Sequence, residues 1–334
     1  MNSRIPSWRR IRIAAAALAA AAALPLAATC EDASAQAWPS RPIRLIVPFS
    51  AGSTADIIAR LAGSQLSREL GQGVAIDNRP GAAGTIGGAE AARAAPDGYT
   101  LVLGTVASHG TGTLMMASVP YDPVRDFQAI TLITNAPGLL AVHASLPVKS
   151  VKDLVALARR APTMNYTSSG TGTTTHLSGE FLWSRTGVKM THVPYRAQGQ
   201  AITDFVGGHL PVMVYAIPAL RPYIYSGKIH PVAVTSIRRV SSLPAVPTVA
   251  ESMLPGFDFT AWFGIMAPAG TPRPIVDRVH KVMLAAMETP ELKQQFAAQG
   301  LEPVGMGPDE FQAFMKADLQ RWREVIANTG IKGQ

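Results

Sequence analysis

The chain has 334 residues, a formal net charge of +8, 47% hydrophobic and 16% charged residues, and one cysteine. That balance is too apolar for a disordered chain and gives enough length for two domains of ordinary size. The basic residues are scattered and do not interleave with aromatics, which excludes a nucleic-acid surface.

Residues 1–37 read as a separate segment. Arg4, Arg9, Arg10 and Arg12 lead into an almost pure Ala and Leu run, Ile13 to Leu26, and Ala35-Gln36-Ala37 follows. Basic, apolar and small-residue stretches in that order predict a secretory signal peptide cleaved after Ala37. Arg9-Arg10 also fits a twin-arginine export signal. Cys30 lies inside this segment, so the mature chain has no thiol for disulfides or metal ligation. Loss of the four arginines, Glu31 and Asp32 lowers the net charge from +8 to +6, which favours small anions by long-range attraction.

After residue 37, strand-like and helix-like segments alternate. Ile43–Val47 predicts a buried strand, 55–70 a helix with Ile57, Leu61, Leu66 and Leu70 at helical spacing, and 74–77 a strand. A small, Ala-rich segment over 84–95 closes at Pro96-Asp97-Gly98, and 99–105 predicts a third strand. Such alternation implies parallel pairing with helical crossovers. The theme repeats: strands over 139–143, 164–168, 191–195, 212–217 and 232–235, with helices over 150–160, 174–186 and 197–207. Amphipathic helices are expected over 274–287 and 308–327, and the stripe Phe311, Phe314, Met315, Leu319, Trp322 and Ile326 reads as core packing. Two sets of alternating elements predict two α/β domains, 38–138 plus 260–334 and 139–259, joined at 134–140 and 260–267. A cleft between them is the expected ligand site.

Three loops carry the chemistry. Pro48-Phe49-Ser50-Ala51-Gly52-Ser53-Thr54-Ala55-Asp56 hands the first strand to a helix. A helix start presents unpaired amides and the positive end of its dipole to an anion. Gly52 admits close approach, Ser50, Ser53 and Thr54 offer hydroxyls, and Asp56 is placed to brace the loop amides. The second handover, Tyr166 to His176, holds seven Ser/Thr and two Gly: Ser168, Ser169, Gly170, Thr171, Gly172 and Thr173 are its centre. The third is Gly104 to Gly110, with Ala107, Ser108 and His109. Three loops of one chemistry point to an anion-binding cleft, although each alone reads as well as a capped turn.

Catalysis finds less support. His176 and Glu180 stand at i,i+4 spacing, as a metal pair would, but no third ligand is identifiable and a capping histidine is the simpler reading. There is no G-x-S-x-G elbow, dinucleotide fingerprint or phosphate-loop lysine. No enzyme activity, cofactor or metal is expected. A secreted hydrolase using His109 or His176 stands as the competing class.

Longer motifs then converge on one family. DNRPGAAGTIGGAEAARAAPDGYTL (77–101), YDPVRDF (121–127), NYTSSGTGTTTHLSGE (165–180), VPYRAQGQAITDFVGG (193–208), LPAVPTVAE (243–251) and WFGIMAPAGTP (262–272) occur in order along the chain. The chain resembles the extracytoplasmic solute-binding proteins of tripartite tricarboxylate transporters, the Bug family. The resemblance implies a type II periplasmic-binding-protein fold, a small carboxylate as ligand, a periplasmic location and delivery to a two-component membrane permease. A monomer is expected, and a ligand sensor for a membrane signalling partner is the alternative role. Carried over by motif, the site comprises Phe49 to Thr54 with Asp56, Ser168 to Thr173 with His176, the Ala107-Ser108-His109 loop, Tyr195, and Tyr215-Ala216. The family loop more often has Gly where this chain has Ser53, and Lys-Gly where it has Arg196-Ala197.

Overall fold

Strand β1 (Ile43–Val47) is apolar on both faces, with Ile43, Leu45, Ile46 and Val47 fully buried, as befits a central parallel strand. Burying each such side chain contributes about 1.5–3 kcal/mol. The following helix α1 (Thr54–Leu70) is capped by Ser53 and ends at Gly71, whose φ of 69° satisfies the left-handed C-cap. Its buried face runs through Ile58, Ala62 and Leu66, while Ile57 and Leu61 lie at the edge, one position off the expected stripe. In a computed structural model of the chain, residues 38–161, 163–195 and 198–329 are described; the expected signal peptide and Arg196-Ala197 lie outside them. The chain divides into residues 1–40 and 41–334, and every strand and helix among the described residues belongs to the second body.

The first arm continues with β2 (Val74–Asn78), α2 (Thr85–Ala92), β3 (Thr100–Thr105), a wide helical turn over Ala107–Thr111, and α3 (Gly112–Met115). A 17-residue strand, β4 (Phe127–His143), leads into α4 (Val151–Arg160), β5 (Asn165–Thr167), α5 (Thr174–Thr186) and β6 (Thr191–His192). Next come α6 (Gln198–Val206), β7 (Val212–Ala216), α7 (Ile217–Tyr225), β8 (Ile229–Val234) and α8 (Val249–Ser252). The chain returns through β9 (Thr260–Pro268), α9 (Arg273–Glu288), α10 (Pro290–Gln299), β10 (Glu302–Met306) and α11 (Pro308–Thr329).

Among the described residues ten strands join one sheet of order β2-β1-β3-β9-β4-β7-β5-β6, with β8 and β10 also on β4. β1 pairs in parallel with β2 and β3, and β5 in parallel with β6 and β7, as the alternating pattern requires. β4 is the common strand: its first part pairs antiparallel with β9 and β10, its last part with β7 and β8. Thr235, 2% exposed, fastens this passage. Its hydroxyl accepts from the Gly138 N–H at 2.8 Å and donates to the Phe259 carbonyl at 2.6 Å.

The apolar interior includes two clusters. One includes Ile46, Val102, Tyr166, Leu177, Met266, Phe311 and Trp322; the other packs Ala201, Phe205 and Leu220 against Leu139, Met213 and Tyr215. Phe311, Met315 and Trp322 of α11 are buried, so the C-terminal stripe is core. Among the described residues no helix is long and apolar enough to cross a membrane.

Candidate functional site

Two loops in different arms of the sheet adopt the same local structure. The first is Gly52-Ser53-Thr54-Ala55-Asp56 before α1; the second is Gly172-Thr173-Thr174-Thr175-His176 before α5. Each glycine is left-handed, with φ of 78° and 77°, a conformation that penalises a Cβ. The following Ser53 or Thr173 is the N-cap; its hydroxyl accepts from the backbone N–H three residues on, at 3.2 Å from Asp56 and 3.4 Å from His176. Both cap N–H groups close a turn, Ser53 to the Ser50 carbonyl at 3.2 Å and Thr173 to that of Gly170 at 3.3 Å. The side chain at the third helical position reaches back to the glycine N–H. Gly52 donates to Asp56 Oδ2 at 2.9 Å, and Gly172 to His176 Nδ1 at 3.3 Å.

Both helices open onto one chamber. Thr54 and Thr174, the first helical residues, line it, are 6% and 4% exposed, and have hydroxyls that make no hydrogen bond within the protein. A buried hydroxyl left unpaired costs about 1–3 kcal/mol. Two of them, on helix starts that line one chamber and each carry about half a positive charge, can donate to acceptor oxygens there. The chamber measures about 60 Å³, room for a carboxylate or about four waters. Outside it a vestibule of about 590 Å³ shares Phe49, Ser169 and Thr173 as its wall.

Of the residues expected from sequence, Phe49, Ser53, Thr54, Ala107, Ser169, Thr173, Tyr215 and Ala216 line the chamber. Ser50, Gly170, Thr171 and Tyr195 line the vestibule. The others line neither cavity. Ala51 and Gly52 are exposed on the loop. Asp56 sits behind it; burial pushes its carboxyl up, but hydrogen bonds from Arg60, Gly52 and Asn78 outweigh this and hold it below the usual carboxylate range. Ser108 is fully buried and bonded to Thr105 and to His109 Nδ1. His109 is 1% exposed with its ring 4.4 Å from that of Phe127, and burial lowers it to about 3, so it is a neutral core residue.

Ser168 accepts from the Gly170 N–H and bonds His192 Nε2 at 2.9 Å. Gly172 is held from the first arm: the buried Thr111 hydroxyl donates to its carbonyl at 2.6 Å. The His176 ring lies 4.2 Å from that of His192, tilted by 44°; burial lowers His176 to about 4, and burial with the neighbouring His176 lowers His192 to about 3. Glu180, one turn beyond, accepts the Tyr166 hydroxyl, so His176 and Glu180 are committed to separate partners.

Several lining residues escape a reading of the sequence. Thr174 and Thr175 follow the cap in the same motif, and their position as first helical residues is the available signal. The turn Pro80-Gly81-Ala82-Ala83-Gly84 walls the vestibule, with Ala82 and Ala83 in left-handed conformation at φ of 46° and 54°. Ala136 and Ala261 form the chamber floor, one each from β4 and β9, opposite each other in register. Their neighbours Asn135, Pro137, Thr260 and Trp262 line a second cleft, with Arg238, Arg239 and Arg321 at its sides. Alternation along a strand puts these two clefts on opposite faces of the same pair of strands.

Known proteins share the fold that carries these loops. Rpa4515 of R. palustris, solved with adipate, superposes with a TM-score of 0.86 at 37% identity, covering 89% of this chain and all of that one. The periplasmic binding protein BugD gives 0.84 at 31% identity, covering 89% of this chain and all of that one. MatC of Rhodopseudomonas palustris, solved with malate, gives 0.81 at 30%, covering 86% and 100%. The fold is therefore the α/β fold of periplasmic solute-binding proteins. The family model for the tripartite tricarboxylate transporter receptors, TctC, matches residues 58–331, and the chain belongs to that family.

Proposed function

We propose that the mature protein is a periplasmic receptor that captures a small organic carboxylate in the chamber and hands it to a two-component membrane permease. The observation that carries this reading is the pair of unbonded, buried hydroxyls of Thr54 and Thr174 on two helix starts. Each can donate to one carboxylate oxygen while the helix dipoles favour the charge. A ligand held from both arms makes bonds to each of them, which suits capture and release. The adipate and malate of the two solved relatives are carboxylates of this kind. Delivery to a permease rests on the family alone. The hydrolase alternative loses its candidates, since His109 and His176 line neither cavity.

Protein unfolded, refolded and freed of carried ligand is expected to gain thermal stability with one class of carboxylates. No shift across aliphatic and aromatic mono-, di- and tricarboxylates would sink the reading. Thr54→Val and Thr174→Val sharpen it, because valine keeps the shape and drops the hydroxyl. Each variant is expected to leave the unliganded protein about 1 kcal/mol more stable and to bind its carboxylate about fivefold to tenfold more weakly. Calorimetric titration beside denaturant unfolding reads the two opposite signs.

A further inference from the structure

We infer that Thr111 is a positioning residue for capture: a latch between the two arms that sets how often the cleft is closed before a ligand enters. The inference rests on the receptor reading and concerns the regulation of that same site.

The latch joins the arms at a point the ligand does not reach. The Thr111 hydroxyl, at the end of the wide turn Ala107–Thr111, donates to the Gly172 carbonyl at 2.6 Å, across 61 residues of sequence. Thr111 is 0% exposed and Gly172 is buried, yet neither lines the chamber or the vestibule. Both partners are atoms of the protein, so the bond can form with or without a ligand.

The first arm offers Gly172 a fitted seat. A Cβ on Gly172 would lie 3.5 Å from the Met115 Cβ, 3.6 Å from the Ala83 Cβ and 3.7 Å from the Gly112 Cα. The second loop therefore rests on α3 and on the turn that walls the vestibule. Gly112 has no space for a side chain of its own, since a Cβ there would lie 2.4 Å from the Ala107 carbonyl oxygen and 2.9 Å from the Ala83 Cβ. The platform under Thr111 is braced. The Tyr121 hydroxyl donates to the Ser108 carbonyl, and the Ser108 N–H donates to the Thr105 hydroxyl at 3.1 Å.

The latch also has a resting position. Thr111 Oγ1 lies 3.4 Å from the Val106 carbonyl oxygen in its own turn. When the arms part, the hydroxyl keeps that acceptor and the Gly172 carbonyl meets water. When they close, the hydroxyl turns to the shorter bond. Opening thus leaves no buried polar group unpaired, as a fastening that opens in every cycle of capture and release requires. Loss of the hydroxyl harms the closed arrangement alone, where the Gly172 carbonyl stays buried without its donor.

A ligand that binds the closed arrangement has an affinity scaled by the fraction of molecules already closed. Thr111 therefore tunes affinity without touching the ligand. It acts through Gly172, whose N–H bond to His176 Nδ1 shapes the loop that presents Thr174.

The test measures closure directly. The sequence from residue 38 onward has no cysteine, so Arg93→Cys and Lys189→Cys in the mature protein place spin labels at exposed positions on the two arms. Distances are read by pulsed electron paramagnetic resonance in refolded, ligand-free protein. A short-distance, closed population is expected, with a closed-to-open ratio that falls at least about fivefold in Thr111→Val. Thr111→Ala removes the same hydroxyl with a smaller side chain and is expected to behave alike, whereas Thr111→Ser keeps the hydroxyl and should keep the ratio. The adipate Kd, from calorimetric titration, is expected to rise by the factor by which the closed fraction falls. A ligand-free protein with no closed population, or a ratio unchanged in Thr111→Val, overturns the inference. So does a weakened adipate affinity at an unchanged closed fraction, which would place Thr111 in the ligand's own shell. A shifted ratio in a protein that binds no carboxylate leaves the latch standing and removes the receptor reading.

Discussion

The two helix-start loops are the same backbone device built with different bolts. In Gly52-Ser53-Thr54-Ala55-Asp56 the glycine N–H meets an ionised carboxylate, itself fixed by Arg60 and Asn78. In Gly172-Thr173-Thr174-Thr175-His176 it meets the lone pair of a neutral imidazole packed, tilted, against a second one. Both solutions give the same glycine conformation, cap and free threonine hydroxyl. They differ in what holds them. The first depends on an acid staying charged, the second on a base staying uncharged, and the two conditions fail at different acidities.

Removing the bolts should have the largest effect. Asp56→Ala leaves the Gly52 N–H and the Asn78 amide without their acceptor and frees Arg60, and is expected to cost about 2–4 kcal/mol of stability. Denaturant unfolding measures it; a loss below about 0.5 kcal/mol would show that the first loop does not need its bolt.

Acid should separate the loops next. The His176 pKa falls from an ordinary 6.5 unfolded to about 4 folded. In between, the unfolded chain binds a proton that the native chain does not, so stability is full above pH 6.5 and declines as the pH falls toward 4. Each such histidine adds a slope of up to about 1.4 kcal/mol per pH unit, and His109 and His192 add theirs. His176→Gln should reduce the slope by about one proton between pH 6 and 5. The carboxyl of Asp56 is held below its usual range, so it stays ionised through that window and Asp56→Asn should leave the slope unchanged. Equal changes in both variants would erase the contrast.

The smallest effect belongs to the caps. Ser53→Ala loses one capping bond and should cost about 1 kcal/mol. Thr173→Ala also loses the hydroxyl bond to the Gly170 carbonyl at 2.6 Å and the contact with Thr175 Oγ1 at 3.1 Å, so it should cost more. The reverse order, by the same unfolding assay, would mean that the second loop is held mainly by Thr111 from outside.

How much of the molecule is legible in its sequence depends on how local each signal is. The N-caps, the glycines and the parallel units around β1 and β5 are set by a few adjacent residues, and they can be read directly. Only the last five residues of β4 read as a strand, because it is buried on both faces almost throughout and shows no alternation. β9 reads as a joint for the same reason, and α7 escapes notice because Pro222 lies inside it. At the candidate site, Thr54 and Thr173 carry a visible helix-start signal, whereas Ala136 and Ala261 meet only through a ladder that joins residues 125 apart. His109 looks like a loop donor in the sequence, which does not show that Tyr121 and Phe127 close over it.

The alternating floor beneath the chamber has a consequence for how the protein can change. Ala136 and its neighbours Asn135 and Pro137 are adjacent letters but belong to different surfaces, as do Ala261 and its neighbours Thr260 and Trp262. Trp262 is tied behind the partition, its indole N–H donating to Asp318 at 2.8 Å. A bulkier residue at 136 cannot be accommodated by its neighbours in sequence, which face the other way. Compensation has to come from residue 261 across the ladder, so the two alanines form one unit of variation written in two distant places.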